Sequence, residues 1–159
     1  MRSTSPFDTS LHRRLVDSLY VEAMVMADEA RSYFDTSLAV EQGFDDPLQR
    51  IAFTCESLKV TTRLMHIIAW LLSQRAFQRG EIDESDLLSE KYSLGPASIS
   101  DRGLVADFPF AVRALVQGSE ELYDRVARLQ DRMLIATRRL PAPEASPARM
   151  LMDRLHMAF

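Results

Sequence analysis

The sequence is poor in cysteine and glycine and has no long apolar run. Cys55 is the only cysteine, which excludes an intramolecular disulfide and, beside three scattered histidines, argues against a zinc site. The longest stretch free of charge, Leu64 to Gln74, is well short of the ~18 apolar residues that a membrane-spanning helix requires. The five glycines are too dispersed to form a phosphate-binding loop. These scarcities exclude a disulfide-stapled protein, a transmembrane protein and a glycine-loop nucleotide enzyme.

The composition is that of one globular domain. Of the 159 residues, 47% are apolar and 26% are charged, and a chain of this length can bury a sufficient core without staples. Residues 1–14 lack the apolar centre of a secretion signal, so we expect a cytoplasmic protein. The formal net charge is −4, and a mildly acidic chain lacks the long-range attraction to phosphate, which disfavours nucleic acid as a partner.

The chain contains none of the common catalytic motifs. It has no glycine-rich nucleotide fingerprint, no Gly-x-Ser-x-Gly elbow, no His-Glu-x-x-His zinc motif and no Glu-x-x-His pair of the di-iron bundles. His66 lies within a strongly helical pattern, and we interpret it as a structural side chain that hydrogen-bonds a backbone or hydroxyl group. The alternative is a pH-sensitive switch at a subunit contact. We therefore predict no catalytic residues, no metal, no cofactor and no enzymatic activity.

Three segments repeat apolar residues at steps of three and four, the period of one helix face. Within a predicted bundle domain of residues 1–140, they span about 9–41, 46–79 and 107–140. Between the last two, residues 81–106 include six acidic residues and a Gly95-Pro96 turn, so we predict a long, acidic, partly ordered connection. The pattern favours an all-α, antiparallel three-helix bundle with long helices.

The second helical segment has the most regular apolar pattern. Asp46 is a good N-cap, and Pro47 suits the first helical position. Nine positions then alternate steps of three and four, as in a coiled-coil heptad: Leu48, Ile51, Cys55, Leu58, Thr62, Met65, Ala69, Leu72 and Ala76. We name these residues the heptad seam. We interpret the seam as a packed part of the bundle, with Cys55 in the core.

From Leu64 onward the same helix is apolar on nearly every side, which is costly in water unless a third surface covers it. The other two helices of one chain do not supply that third surface. We therefore predict a homodimer. Its predicted interface consists of Ile67, Ile68 and Leu71.

The last residues, 141–159, form a separate segment. The proline-rich run 141–147 is typical of an extended linker. It is followed by a short amphipathic stretch whose apolar residues have helical spacing: Met150, Leu151, Leu155 and Phe159. We predict a flexible tail in which these residues capture a partner protein. The other possibility is that the tail packs back onto its own bundle.

Two stretches of the first and second helices resemble a known family. They are Ser18-Leu19-Tyr20-Val21-Glu22-Ala23-Met24 with Ala27-Asp28-Glu29-Ala30-Arg31-Ser32-Tyr33-Phe34, and Thr61-Thr62-Arg63-Leu64-Met65-His66-Ile67-Ile68-Ala69-Trp70-Leu71-Leu72. They are similar to the RcdA family, the "regulator of CtrA degradation" proteins of alphaproteobacteria. The resemblance implies a dimeric three-helix bundle that serves the ClpXP protease as an adaptor and helps deliver cell-cycle regulators for degradation. It also implies a response-regulator-like primer of the protease and further adaptors as partners.

An alternative interpretation is a ligand-sensing or DNA-associated helical transcriptional regulator. It is motivated by arginines of the third helix that could form a basic stripe: Arg125, Arg128, Arg132, Arg138 and Arg139. Glu121, Asp124 and Asp131 interrupt this stripe, which favours a mixed, solvated face. Salt-dependent retention on DNA would support the regulator, whereas capture of protease components would support the adaptor.

Overall fold

The computed structural model describes residues 7, 9–36, 44–139, 152, 154, 155 and 157. The elements of the described chain are α1 (Ser10–Thr36), α2 (Pro47–Gln78), α3 (Glu84–Leu87), a 3-10 turn (Glu90–Tyr92), α4 (Arg102–Val105) and α5 (Phe110–Arg139). The long helices α1, α2 and α5 pack against one another, which confirms the predicted all-α three-helix bundle. The predicted helix residues 37–41 and 140 lie outside the described residues.

The ends of α2 follow from local sequence signals. Asp46 caps the first turn because its carboxylate accepts a hydrogen bond from the N–H of Leu48 at 3.0 Å, and Pro47 occupies a position where no N–H is needed. Beyond the other end, Gly80 has a φ of 75°, in the left-handed region that favours glycine. Its N–H donates to the carbonyl of Phe77 at 3.0 Å. Both ends lie where the sequence predicts them.

α1 runs antiparallel to α2. At one end of the bundle, the Nε2 atom of His12 lies 3.2 Å from Oε1 of Gln74 in a buried hydrogen bond. At the other end, the rings of Phe34 and Phe53 pack edge to face with centroids 5.8 Å apart. The first residues of α1 therefore meet the last turns of α2, and the last residues of α1 meet its first turns.

α2 and α5 run in the same direction. Phe53 in the first half of α2 packs on Phe108, just before α5, with ring centroids 5.7 Å apart. Further along both helices, the guanidinium of Arg63 donates to Oγ of Ser119 at 3.1 Å. α1 is therefore antiparallel to α5 as well as to α2. Because consecutive helices can be parallel only if the chain returns to its starting end, the connection 79–109 runs back along the bundle.

This connection is more ordered than the sequence predicts. Its acidic residues Asp83 and Asp101 cap the short helices α3 and α4 by accepting backbone hydrogen bonds. Its apolar residues pack on the bundle: Leu87 and Phe108 are buried, and Ile82, Leu88, Leu94 and Val105 are partly buried. The connection thus forms a further layer over α2 and α5.

Candidate protein interaction site

α2 has two apolar faces that point in opposite directions. One face is buried in the bundle: Phe53, Val60, Leu64, Ile67, Trp70 and Leu71. The other face is the heptad seam, whose long side chains are exposed by between 46% at Leu72 and 73% at Leu48. Cys55, Thr62 and Ala69 of the seam are exposed too. The interpretation that placed the seam in a packed bundle and Cys55 in the core is therefore wrong for the single chain.

The error has a physical cause. Both faces of α2 repeat with the helical period, but only the seam is free of charge along its length. The true core face carries the charged residues Glu56 and Arg63, and charged residues in a sequence usually indicate a solvent-exposed face. These two side chains are nevertheless buried because the connection supplies their hydrogen-bond partners.

The exposed seam is large enough for a helix-helix contact. From Leu48 to Leu72 it extends about 36 Å at the helical rise per residue. It contains no charged residue. A contiguous exposed apolar surface of this kind marks a protein interaction site. The heptad seam is therefore the candidate functional site of the chain.

The predicted dimer residues do not lie on this surface. Ile67 and Leu71 are 0% exposed, and Ile68 is partly buried and packs on the core. Ile67 and Leu71 thus offer no surface to a second chain, which corrects their assignment to an interface. The connection also covers part of this apolar stretch of α2, since its Leu87 and Leu88 line the same cleft as Trp70.

A strap of irregular chain, residues 94–101, lies along α2 and α5. Its backbone carbonyls accept hydrogen bonds from side chains of these helices: Gly95 from Tyr123 Oη at 2.7 Å, Pro96 from His66 Nδ1 at 2.8 Å, Ser98 from Arg63 Nη2 at 2.8 Å and Ile99 from Lys59 Nζ at 3.1 Å. At its two ends, the N–H of Leu94 donates to Gln130 and the N–H of Asp101 donates to Glu56. The strap is therefore fixed along its length by long-range hydrogen bonds.

Arg63 is the centre of this arrangement. Its side chain is 1% exposed, and its guanidinium donates to Oγ of Ser119 at 3.1 Å and to Oγ of Ser100 at 2.5 Å. It also pairs at 3.4 Å with the partly exposed carboxylate of Glu120. A buried charge is tolerated only where it is paired and hydrogen-bonded. Arg63 therefore joins α2, α5 and the strap.

Glu56 anchors the far end of the strap. Its Oε1 accepts hydrogen bonds from Nζ of Lys59 at 2.9 Å and from the N–H of Asp101 at 3.3 Å. Burial raises the pKa of the Glu56 carboxyl, but the polar groups of Ser100, Lys59 and Asp101 outweigh burial and hold the pKa below its ordinary value. The carboxylate is therefore ionised at neutral pH and acts as an acceptor for the strap.

His66 has the structural role that the sequence favours. Its Nδ1 lies 2.8 Å from the carbonyl of Pro96, which assigns the proton to Nδ1 because a carbonyl can only accept. Gly95 packs directly against the imidazole ring. The ring thus holds the turn of the strap, while the switch at a subunit contact stays an alternative prediction.

The architecture and the sequence both match known proteins. The crystal structure of RcdA from Caulobacter crescentus CB15 superimposes on the chain with a TM-score of 0.64 at 30% sequence identity, covering 81% of this chain and 96% of that one. A family model described as "protein of unknown function (DUF1465)" matches residues 7–159. The chain belongs to the DUF1465 family. The prediction of an RcdA-like protein is confirmed, while no curated protein matches this DUF1465 chain.

The tail of this DUF1465 chain is described only in part. Leu155 is 52% exposed, and Met152 and Met157 are also exposed. The other predicted partner-binding residues, Met150, Leu151 and Phe159, lie outside the described residues. Capture of a partner by the tail therefore stays a prediction, as does its alternative of packing back.

The described part of the DUF1465 chain holds no group of three or more His, Cys, Asp or Glu side chains that could bind a metal ion. Over the same residues, no helix combines the length and the hydropathy that a membrane span requires. The absence of catalytic residues stays a prediction from the sequence motifs.

Proposed function

We propose that this chain is a non-enzymatic, cytoplasmic adaptor that helps deliver cell-cycle regulatory proteins to the ClpXP protease. The proposal rests on likeness to RcdA, together with the resemblance of the first two helices to that adaptor family. The observation that carries it is the exposed, uncharged heptad seam. An adaptor needs surfaces that raise the effective concentration of a substrate at the protease, and it needs no catalytic groups.

The partners that the resemblance implies are the protease, its response-regulator-like primer and further adaptors. The seam and the tail are separate candidate surfaces for them, because the seam lies on α2 and the tail follows α5. Two surfaces on one chain allow a substrate and the protease system to be bound together. Such tethering raises the effective concentration of the substrate at the protease, although the protease itself makes no new contact with it.

We further infer that the chain forms a homodimer through the heptad seam. Leu48, Ile51, Leu58, Met65 and Leu72 expose their side chains along one line. Because the seam contains no charged residue, a second copy of α2 can approach it without like-charge repulsion. Antiparallel pairing of the two seams over their full length places the twofold axis at the middle position, Thr62.

Light scattering tests the homodimer. The wild-type chain is expected at about twice 18.1 kDa, and the double variant Leu58→Glu/Met65→Glu at the monomer mass. Val21→Glu/Val25→Glu is the matched control, because these valines are equally apolar and exposed but lie on α1. In a Cys55→Ser background, Thr62→Cys is expected to form an intermolecular disulfide. A monomeric wild-type chain, or loss of the dimer only in the control, would remove the seam as an interface.

Reconstituted degradation tests the adaptor itself. ClpXP, the primer and a candidate cell-cycle regulator are combined with and without the full chain, and turnover of the regulator is followed. The chain is expected to accelerate turnover and to have no proteolytic activity of its own. If it changed neither binding nor turnover of any regulator delivered by an RcdA-type adaptor, the proposal would fail whatever the mass of the protein in solution.

A further inference from the structure

A groove between α1 and α5 is distinct from the seam and from the strap. It has a volume of about 350 Å³ and lies on the bundle where the strap does not cover it. Six residues define what we call the basic groove: Leu15, Leu19 and Leu129 on its floor, and Arg125, Arg128 and Arg132 along its α5 side. Three of the five arginines that the sequence suggested as an interrupted stripe thus line one groove.

The charge of the basic groove is opposite to that of the chain. The chain has a net charge of −4, yet three arginines line the groove beside a single carboxylate, Glu22. Glu22 pairs with Arg125 at one end. Arg128 and Arg132 are exposed, and in the described part of the chain neither makes an ion pair or a side-chain hydrogen bond. The charged residues that line the groove, three arginines and one glutamate, therefore sum to +2.

The floor of the basic groove is apolar. Leu19 is buried, Leu129 is partly buried and Leu15 is still 42% exposed. Leu11, on the same side of α1 one turn earlier, is exposed as well. A ligand that covers this floor must bring apolar side chains, and one that meets Arg128 and Arg132 must bring negative charge.

We propose that the basic groove binds an acidic amphipathic helix of a partner protein. The groove between two packed helices accepts the apolar ridge of a third, as in other helix-in-groove complexes. Arg125 to Arg132 spans about 10 Å, or two helical turns, so carboxylates three or four residues apart on the partner helix can reach the arginines.

The same observations disfavour nucleic acid at this groove. Phosphate backbones gain nothing from an apolar floor, and two free cations give weak binding at physiological salt. The inference does not depend on the adaptor proposal or on the dimer, because α1 and α5 form the groove and α2 carries the seam.

A synthetic probe tests the basic groove. The probe is a fluorescent helical peptide with leucine along one face and glutamate along the adjoining face, and its binding to the full chain is measured by anisotropy. Binding is expected to weaken as salt rises and to fall about tenfold or more in Arg128→Glu/Arg132→Glu. Arg128→Gln/Arg132→Gln removes the charges alone and is expected to give an intermediate loss.

The matched control is Arg102→Glu/Arg113→Glu, which changes the net charge equally at exposed arginines outside the groove. It is expected to leave probe binding within about twofold of wild type. Absence of probe binding, an equal loss in the control, or binding of duplex DNA with the same dependence on Arg128 and Arg132 would each overturn the inference. Thermal melts of the groove variants should match wild type, because none of the groove substitutions removes an ion pair; the control loses the 4.0 Å pair of Arg102 with Glu120, so its own melt is recorded beside them.

Discussion

Gly95 lies so close to His66 that a β-carbon added to Gly95 would stand 2.6 Å from Cγ and Nδ1 of the imidazole ring. The ring cannot move aside easily, because its Nδ1 is bound to the carbonyl of Pro96 at 2.8 Å. Gly95 cannot move away either, since its own carbonyl accepts the hydroxyl of Tyr123 at 2.7 Å. Close packing therefore requires a glycine at position 95, and the contact between Gly95 and His66 fixes the course of the strap here.

Gly95→Ala is therefore expected to destabilise the fold. A methyl group at this position must displace the ring or the strap and break one of the two hydrogen bonds. We expect a loss of about 1–3 kcal/mol in the free energy of unfolding, measured by urea denaturation. His66→Ala makes room for the methyl group, so adding Gly95→Ala to His66→Ala should cost much less than it does alone. An equal cost in both backgrounds would show that the contact is not the cause.

Gly118→Ala is expected to raise the free energy of unfolding, whereas Gly95→Ala lowers it. Gly118 lies within α5, where the substitution improves helix propensity by about 1 kcal/mol. The new β-carbon would meet only Met26, with Cε at 3.2 Å and Sδ at 3.7 Å, and this flexible end of a partly exposed side chain can shift. We expect a gain of about 0.5 kcal/mol in the free energy of unfolding, with the same denaturation measurement. A loss comparable to that of Gly95→Ala would mean that Met26 is held rigidly.

The sequence predicts the three long helices and the ends of α2, because helical periodicity, N-caps and glycine stops are local signals. It does not predict the strap, because the strap is ordered by residues far away in the chain, such as Arg63 and Tyr123. For the same reason, the sequence alone assigns the heptad seam to the wrong face of α2. Glu56 and Arg63 mark a face as polar in the sequence, and only the tertiary partners of these side chains reveal that the face is buried.

Arg63→Met is expected to be among the most destabilising single substitutions in the chain. It leaves the carbonyl of Ser98 and the hydroxyls of Ser100 and Ser119 without their donor, and it removes the shorter of the two ion pairs of Glu120. We expect a loss of about 3 kcal/mol, together with faster amide hydrogen exchange at residues 94–101. Arg113→Met, which removes an exposed arginine of α5, should change stability by less than about 0.5 kcal/mol and leave the exchange of the strap unaltered.

Burial of His12 makes the stability of the fold depend on pH. This residue is buried at the end of the bundle, where its Nε2 meets Gln74 at 3.2 Å and the ring of Phe7 packs against it edge to face. Burial lowers the pKa of the imidazole, and the hydrogen bond to Gln74 offsets only part of this effect. The folded protein therefore resists protonation of His12 more than the unfolded chain does.

The direction in which the free energy of unfolding changes with pH follows from the difference between the pKa of His12 in the folded and in the unfolded chain. Above the ordinary histidine pKa of about 6.5, His12 is neutral in both states and stability is unaffected by its titration. As the pH falls below that value the unfolded chain takes up the proton first, so the free energy of unfolding decreases until the folded pKa is passed. Unfolding at pH 7.5 and at pH 5.5 should thus show a smaller drop in His12→Gln than in wild type, because the carboxylates titrate alike in both proteins. An identical drop in the two proteins would mean that His12 is not held neutral by its burial.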